Sequence, residues 1–520
     1  MVLRTTAALG VFSVLDKGLA AARQVLMAIL FGAGAAMDAL VVAISVVEML
    51  VSLLTGSFLS VFIPLYARWR PDQTEEAADA RALNLVGVLM ALLSAAALGL
   101  ALWGGKVVDW VGYGFKESQQ RLAESMMPWL AVFLWANGTV VLLTGLFHVR
   151  RQFLTPRIAQ VAERVIVLVV LIGVAPILGI RAAPLALAMG ALGLVLILGG
   201  GMVRQTGPVR IRLSPRAPEV RAYLFLVLPL LGGAAIDHVV LFTDRAMASS
   251  LAPGAVSALY YATVLWWLPA ILLNNNFSTV FFPQLAADIA SRDPRRLGRA
   301  LQFAFKTMIL LMLGATVLMV ILAQDVTALL FQHGSFDAAS RRLTAKTLMA
   351  LSLCLMVKGV GSLISMTLFA CQRTGVTAAC GAIRVVLNVL FNALLMGPLG
   401  AVGIALSTTL TLGIWLGIVS FPFGRELSRR QVTVFRGGDF PMLCLKAVLA
   451  AGAAAGATLL VVEAPLLAGT ATLATLLRLV MAGGVGTAAY IGTLYALRLP
   501  EAMEVARLVT ARCGGGRGSA

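Results

Sequence analysis

GSFLSVFIPLYA, residues 56–67, returns as NNFSTVFFPQLA at residues 275–286. With an offset of 219, Phe58 falls on Phe277, Val61 on Val280, Phe62 on Phe281, Pro64 on Pro283 and Ala67 on Ala286. Upstream of each copy lies a small-residue turn, FGAG at 31–34 and LAPG at 251–254, and before each turn a basic residue, Arg23 or Arg245. A repeat at this separation makes most of the chain two copies of one design.

The repeated elements are apolar helices. Of 520 residues, 60% are hydrophobic and 12% charged, with a mean hydropathy of +0.93, a balance that soluble domains do not show. Runs of about 20 residues, enough to cross ~30 Å of hydrocarbon as a helix, recur from residue 5 to residue 496. Strand-like alternation is absent, so helices and not a barrel satisfy the backbone in lipid. The runs give about fourteen spans. Six fall within one repeat length, and an even number puts both copies in the same orientation. The expected fold is therefore an all-α polytopic membrane protein. Two parallel-related six-helix lobes, residues 1–217 and 218–436, surround a central cavity; two further helices occupy 437–497 and a tail runs over 498–520. Arg4 and the apolar run behind it resemble a signal peptide, but Asp16 and Lys17 interrupt the cleavage region, so this reads as an uncleaved first span.

The net charge of +18 is laid out by topology. With the N-terminus in the cytoplasm, inner segments carry Arg68, Arg70 and Arg81, then Arg150, Arg151 and Arg157, then Arg204, Arg210, Arg212, Arg216 and Arg221. Further along come Arg292, Arg295, Arg296 and Arg299, then Arg425, Arg429, Arg430 and Arg436, and last Arg498, Arg507, Arg512 and Arg517. Outer segments hold few cations, among them Lys106, Lys116, Arg121, Arg181 and Arg478. That bias is the positive-inside rule with both termini cytoplasmic, and it points to membrane lipids rather than to nucleic acid. Five cysteines, Cys354, Cys371, Cys380, Cys444 and Cys513, show no metal-ligand spacing and imply no disulfide framework.

Charges inside spans need a reason, because each costs about 2.5–3.5 kcal/mol at mid-helix. Asp16, Lys17 and Arg23 lie in the first span, and Asp38 opens the second just past FGAG. Asp16 and Arg23 are seven apart and share a helical face. Asp38 is favoured by the helix N-terminus and is placed to orient Arg23. This set is either a salt-bridge cluster that fixes helix packing or a cationic site for an anionic group, since guanidinium forks suit phosphate oxygens. Asp237, His238, Asp244 and Arg245 repeat the theme in span seven, and Lys358 and Arg384 are further cations in spans ten and eleven. Asn274, Asn275, Asn276, Asn388 and Asn392 are expected to join helices by hydrogen bonds. The uncharged AVLAAGAAAGATLLVV at 447–462 permits close packing or a shallow apolar groove.

The stretches ARQVLMAILFGAGAAMDAL, GSFLSVFIPLYA, TDRAMASSLAPGAVSALYYA, LLFQHGSFDAAS and NVLFNALLMGPLGAVGIAL resemble the MurJ (MviN) lipid II flippases, collinearly over nearly the whole chain. The resemblance implies a multidrug/oligosaccharidyl-lipid/polysaccharide exporter fold with a cationic cavity. It also implies a groove for a polyprenyl tail on the last two helices, and an undecaprenyl-diphosphate-linked peptidoglycan precursor carried from the inner to the outer leaflet of the bacterial cytoplasmic membrane. Lys17, Arg23 and Asp38 fall on the family's charged positions. Two departures stand out: the second helix reads VEMLVSLL at 47–54, with Leu50 where a basic residue is usual, and YYATVL carries Val264 where an arginine is usual. Either Arg245 and Lys358 compensate, or the chain moves a different polyprenyl-diphosphate-linked glycan, such as an exopolysaccharide or O-antigen unit.

Other classes fit less well. A membrane glycosyltransferase or ligase needs acid/base groups gathered in a large outer site, whereas the outer loops are short and His148, His238 and His333 are scattered. A cation-coupled drug exporter favours acidic cavity residues, and the first helix is net basic. A scaffold among cell-wall synthesis proteins would not need cations at membrane depth. No G-x-x-x-x-G-K-[ST] occurs, so no cofactor is expected; the membrane potential, or coupled protons or sodium ions, would supply energy.

Overall fold

The computed structural model describes residues 2–69, 75–206, 213–291, 293–435, 437–464 and 472–499. Arg70, Arg210, Arg212, Arg292, Arg436, Cys513 and the tail beyond residue 499 lie outside the described residues. Among those described there is no strand. The helices are α1 (Val2–Phe31), α2 (Ala35–Trp69), α3 (Glu75–Val111), α4 (Glu117–Val149), α5 (Leu154–Leu178), α6 (Ala182–Thr206), α7 (Pro218–Ala248) and α8 (Ala255–Pro269). After them come α9 (Asn276–Ala290), α10 (Pro294–Phe331), α11 (Ala338–Ser352), α12 (Leu355–Ala370), α13 (Thr374–Arg429), α14 (Asp439–Val462) and α15 (Thr472–Ala496).

Among the described residues, nine helical stretches are long and apolar enough to cross a membrane. Two of them, Leu154–Arg204 and Thr374–Arg429, are double passes, folded at the tight turn Gly179–Arg181 and at Gly400 (φ 59°). Ala338–Ser352 and Leu355–Ala370 reach that length and apolarity together, as a helix pair bent by 40°. α1 and α7, 30 and 31 residues long, have the length as well and carry charges within it. The expected spans are thus all present as helix.

The chain forms two compact units, residues 1–257 with 333–340, and residues 258–332 with 341–520. This division falls one helix later than the lobe boundary expected at 217/218. The reason is packing: α7 lies along α2, with Val220, Tyr223 and Val227 in the core built by Phe58, Phe62, Leu85, Leu142, Phe147 and Leu198. Gly145 of α4 makes room for it, since a Cβ there would meet the Phe58 ring at 2.6 Å. Helices meet in lipid through such close packing rather than through a hydrophobic drive.

The second unit has its own core of Phe281, Leu285, Leu301, Phe305, Met308, Leu363, Val419 and Phe423. Both copies of the repeat supply a stacked ring pair to their own core. Phe58 and Phe62 stand 4.8 Å apart at 15°, and Phe277 and Phe281 stand 5.4 Å apart at 25°. The copies differ upstream. α2 is continuous, whereas α8 and α9 are joined by a π-helical segment, Ala270–Asn275. α14 and α15 pack on α10 through Leu443, Ala447, Ala450, Ala454, Tyr490 and Leu494, and the Tyr490 hydroxyl donates to Leu310 O at 2.7 Å. The small residues at 447–454 are therefore packing residues on one face. Val448, Leu449, Leu459 and Leu460 on the other faces are exposed.

Candidate functional site: a charged seam between α1 and α5

α1 packs against α5, and the charges of the first span meet a second set there. Arg164 Nε donates to Asp16 Oδ1 at 3.1 Å, and Lys17 Nζ stands 3.7 Å from Asp16 Oδ2. Arg164 also reaches its neighbour Glu163, Nη1 to Oε1, at 3.4 Å. Arg23 lies within electrostatic reach of Glu163. Three cations and two carboxylates thus form one seam. Exposure sorts them: the Asp16 and Glu163 side chains are 7% and 8% exposed, Arg164 is 26% and Lys17 72%. The acids form a buried floor that fixes the cations, and the cations form the open side. Such an arrangement holds guanidinium and ammonium groups in place for an anion without neutralising them all.

Glu163 and Arg164 were not anticipated from the sequence, although the signal was there. LTPRIAQVAERVIVLVV puts two charges in the middle of an apolar span, and the insertion cost that singles out Asp16 and Lys17 applies equally.

Asp38 does something else than orient Arg23. It is buried, and its carboxylate accepts from Gly254 N at 2.6 Å, Ser257 N at 2.7 Å and the Ser257 hydroxyl at 2.6 Å. Placed just past the turn after α1, it meets the donors of the LAPG turn and ties the two turns together. The HGSFD segment joins them: Ser335 N donates to Ile29 O at 2.9 Å and the Ser340 hydroxyl to Ala33 O at 3.2 Å. Gly32 takes φ 63°, and a Cβ on it would stand 2.3 Å from Ser335 O. Three of the sequence stretches that carry the family resemblance are therefore interlocked turns at one end of the first unit.

The remaining predicted residues fall in separate places. Arg245 is buried in α7 and donates to the Ser45 hydroxyl at 2.8 Å and to Glu48 Oε2 at 2.9 Å, both on α2. Asp244 is buried beside it, Asp237 is exposed and His238 half-buried. In the second unit Lys358 and Arg384 both lie within electrostatic reach of buried Cys354. Asn392 Nδ2 donates to Asn388 Oδ1 at 3.3 Å within the first pass of α13, and the bond across the two passes runs from the Ser407 hydroxyl to the Asn388 backbone O at 3.2 Å. Asn274 Nδ2 donates to the Ser362 hydroxyl at 3.3 Å. Asn276 bonds within its own helix, to Leu272 O at 2.9 Å, and Asn275 is exposed. Among the described residues no His, Cys, Asp and Glu group is arranged to hold a metal ion.

This helical architecture defines a class, the all-α polytopic membrane proteins. A solved structure titled "Lipid II flippase MurJ, inward closed conformation" has the same fold, with a TM-score of 0.76 and 17% identity over 94% of this chain and 99% of that one. An inward-facing MATE family transporter of the MOP superfamily aligns with a TM-score of 0.69 at 15% identity, over 79% of this chain and 95% of its own. The family described as "Lipid II flippase MurJ" matches residues 27–478, and the chain belongs to that family. The lipid II flippase MurJ of Burkholderia cenocepacia is 28% identical over 350 residues, 65% of this chain and 67% of the relative. The probable lipid II flippase MurJ of Haemophilus influenzae is 26% identical over 471 residues, 85% and 90% of the two chains. Lys17 and Arg23 precede the matched residues; Asp38, Glu163 and Arg164 lie within them.

Proposed function

We propose that this protein is a lipid II flippase, carrying an undecaprenyl-diphosphate-linked peptidoglycan precursor across the bacterial cytoplasmic membrane by alternating access. The family match over residues 27–478 carries this reading, and the α1–α5 seam gives it a chemistry. Lys17, Arg23 and Arg164 hold the diphosphate, while Asp16 and Glu163 keep these cations in place between substrates. Lys358 and Arg384 supply a second pair of cations, and Arg245 is locked to Glu48 as a positioning residue. The exposed apolar faces of α14 and α15 accept the polyprenyl tail. Transport is not coupled to a bound cofactor. A cytoplasm-negative potential favours outward release of the anionic headgroup.

Leu50 and Val264 occupy positions where family members usually carry arginine, and they set the test. A bacterium depleted of its own lipid II flippase is given the wild type, Arg23→Ala, or the double variant Leu50→Arg, Val264→Arg. Rescue by the wild type and failure of Arg23→Ala at equal membrane abundance is the expected result. Rescue only after both arginines are restored would mean that the chain carries a different polyprenyl-diphosphate-linked glycan.

A further inference from the structure

The second pass of α13 buries one face in the core of its unit through Thr411, Leu412, Val419, Phe423 and Leu427. The opposite face is exposed and changes character along its length. Leu410, Ile414, Gly417 and Phe421 form an uncharged stripe at helical spacing, and the same stripe continues into Arg425 and Arg429. Gly417 and Gly424 have open space where a Cβ would stand, so the stripe is a low lane on the helix surface.

Its charged end is built. Arg425 lies over the Phe421 ring, 4.2 Å from the centroid. Arg373, arriving from the turn before α13, donates from Nε to Glu426 Oε2 at 3.1 Å, and Arg430 Nε donates to Glu426 Oε1 at 2.9 Å. Arg429 stands 3.9 Å from the same carboxylate. One buried carboxylate among four guanidiniums leaves the group strongly cationic. A hollow of about 250 Å³ opens between these side chains, lined by Arg425 and Arg429 with Arg373 and by Leu368 and Val376 from the neighbouring helical passes.

We propose that this face binds an anionic phospholipid, its phosphate held by Arg425 and Arg429 and one acyl chain lying along Phe421, Gly417 and Ile414. Guanidiniums match phosphate oxygens in charge and geometry. The uncharged lane selects a lipid over a free anion. From Arg425 to Ile414 a helix rises about 16 Å, close to half of the ~30 Å hydrocarbon core, which is the depth of one leaflet. A positive-inside bias asks only for cations near the surface; it does not ask for a carboxylate-braced arginine group around a hollow at the head of an apolar lane.

Native mass spectrometry of the full chain, released from phosphatidylcholine nanodiscs doped with phosphatidylglycerol, tests this. The wild type retains phosphatidylglycerol above its share of the bilayer, and Arg425→Gln with Arg429→Gln lowers that enrichment by about tenfold. Arg295→Gln with Arg299→Gln, an equal charge loss at exposed positions of α10, leaves it unchanged, and added inorganic phosphate does not displace the lipid. Arg429→Gln alone leaves the Arg373 and Arg430 bonds to Glu426 intact and should lower enrichment while melting in pure phosphatidylcholine stays the same. Undiminished enrichment in the 425/429 variants, an equal loss in the α10 variant, or displacement by phosphate would each overturn the proposal.

Discussion

Arg164 is the partner that keeps a carboxylate inside α1. The Asp16 and Glu163 side chains are only 7% and 8% exposed. Removing Arg164 alone leaves Asp16 with the exposed Lys17 as its one remaining ion-pair partner and takes away the ion pair of Glu163, at a cost approaching the ~3–5 kcal/mol of a broken buried pair. Neutralising Asp16 as well removes its share of that penalty, and Arg23 remains within electrostatic reach of Glu163, so Asp16→Asn with Arg164→Gln should accumulate and melt higher than Arg164→Gln alone. Transport should nevertheless fall at least tenfold in that double variant, because one of three cations on the open side is gone. Transport at the wild-type rate would reduce the pair to a packing device. The charges of α1 were legible in the sequence because charge at membrane depth is costly and therefore conspicuous. Their pairing was not, since Asp16 and Arg164 are 148 residues apart and nothing local records the meeting of α1 with α5. Asp38 misled for a related reason. Two of its three donors are backbone N–H groups 216 and 219 residues away, and every residue type but proline presents the same backbone donor.

Whole elements were easier to read than pairs of residues. Apolar length gave the helices, and the F-x-x-x-F spacing placed two rings one turn apart on one face, where both units use them. Phe62 is fully buried and Phe281 5% exposed, so each ring truncated to alanine leaves a cavity costing about 3 kcal/mol. The two sites contribute to different cores and share no partner, and their effects should add. Thermal denaturation in detergent checks this: Phe62→Ala and Phe281→Ala should lower the midpoint comparably, and the double variant by close to the sum. A large lowering from Phe62→Ala with none from Phe281→Ala would mean that the repeat is a likeness of sequence without a shared structural role. The π-helical segment Ala270–Asn275 was invisible beforehand, because one extra residue per turn leaves no mark in an apolar run. The grouping of α7 with the first unit escaped for another reason: the repeat reports how the chain is built up, whereas compactness reports which faces pack.

At the scale of the whole molecule the direction of insertion decides what the charged seam can do. A cytoplasm-negative potential is worth about 2.3 kcal/mol per charge for each 100 mV, so it assists release of an anionic group only toward the outside. The basic segments set that direction by resisting translocation. Arg295 and Arg299, at the start of α10, belong to the densely basic set, and Lys116, before α4, to the sparse one. In a background with all five cysteines replaced, Lys116→Cys should react with a membrane-impermeant maleimide on intact spheroplasts. Arg295→Cys, exposed in the fold, should react only after the membrane is opened. The opposite pattern would put the termini outside; the potential acts on the diphosphate itself and would still favour its outward movement, but the basic segments would then lie on the side that the positive-inside rule excludes, and each end of the α1–α5 seam would open to the other leaflet.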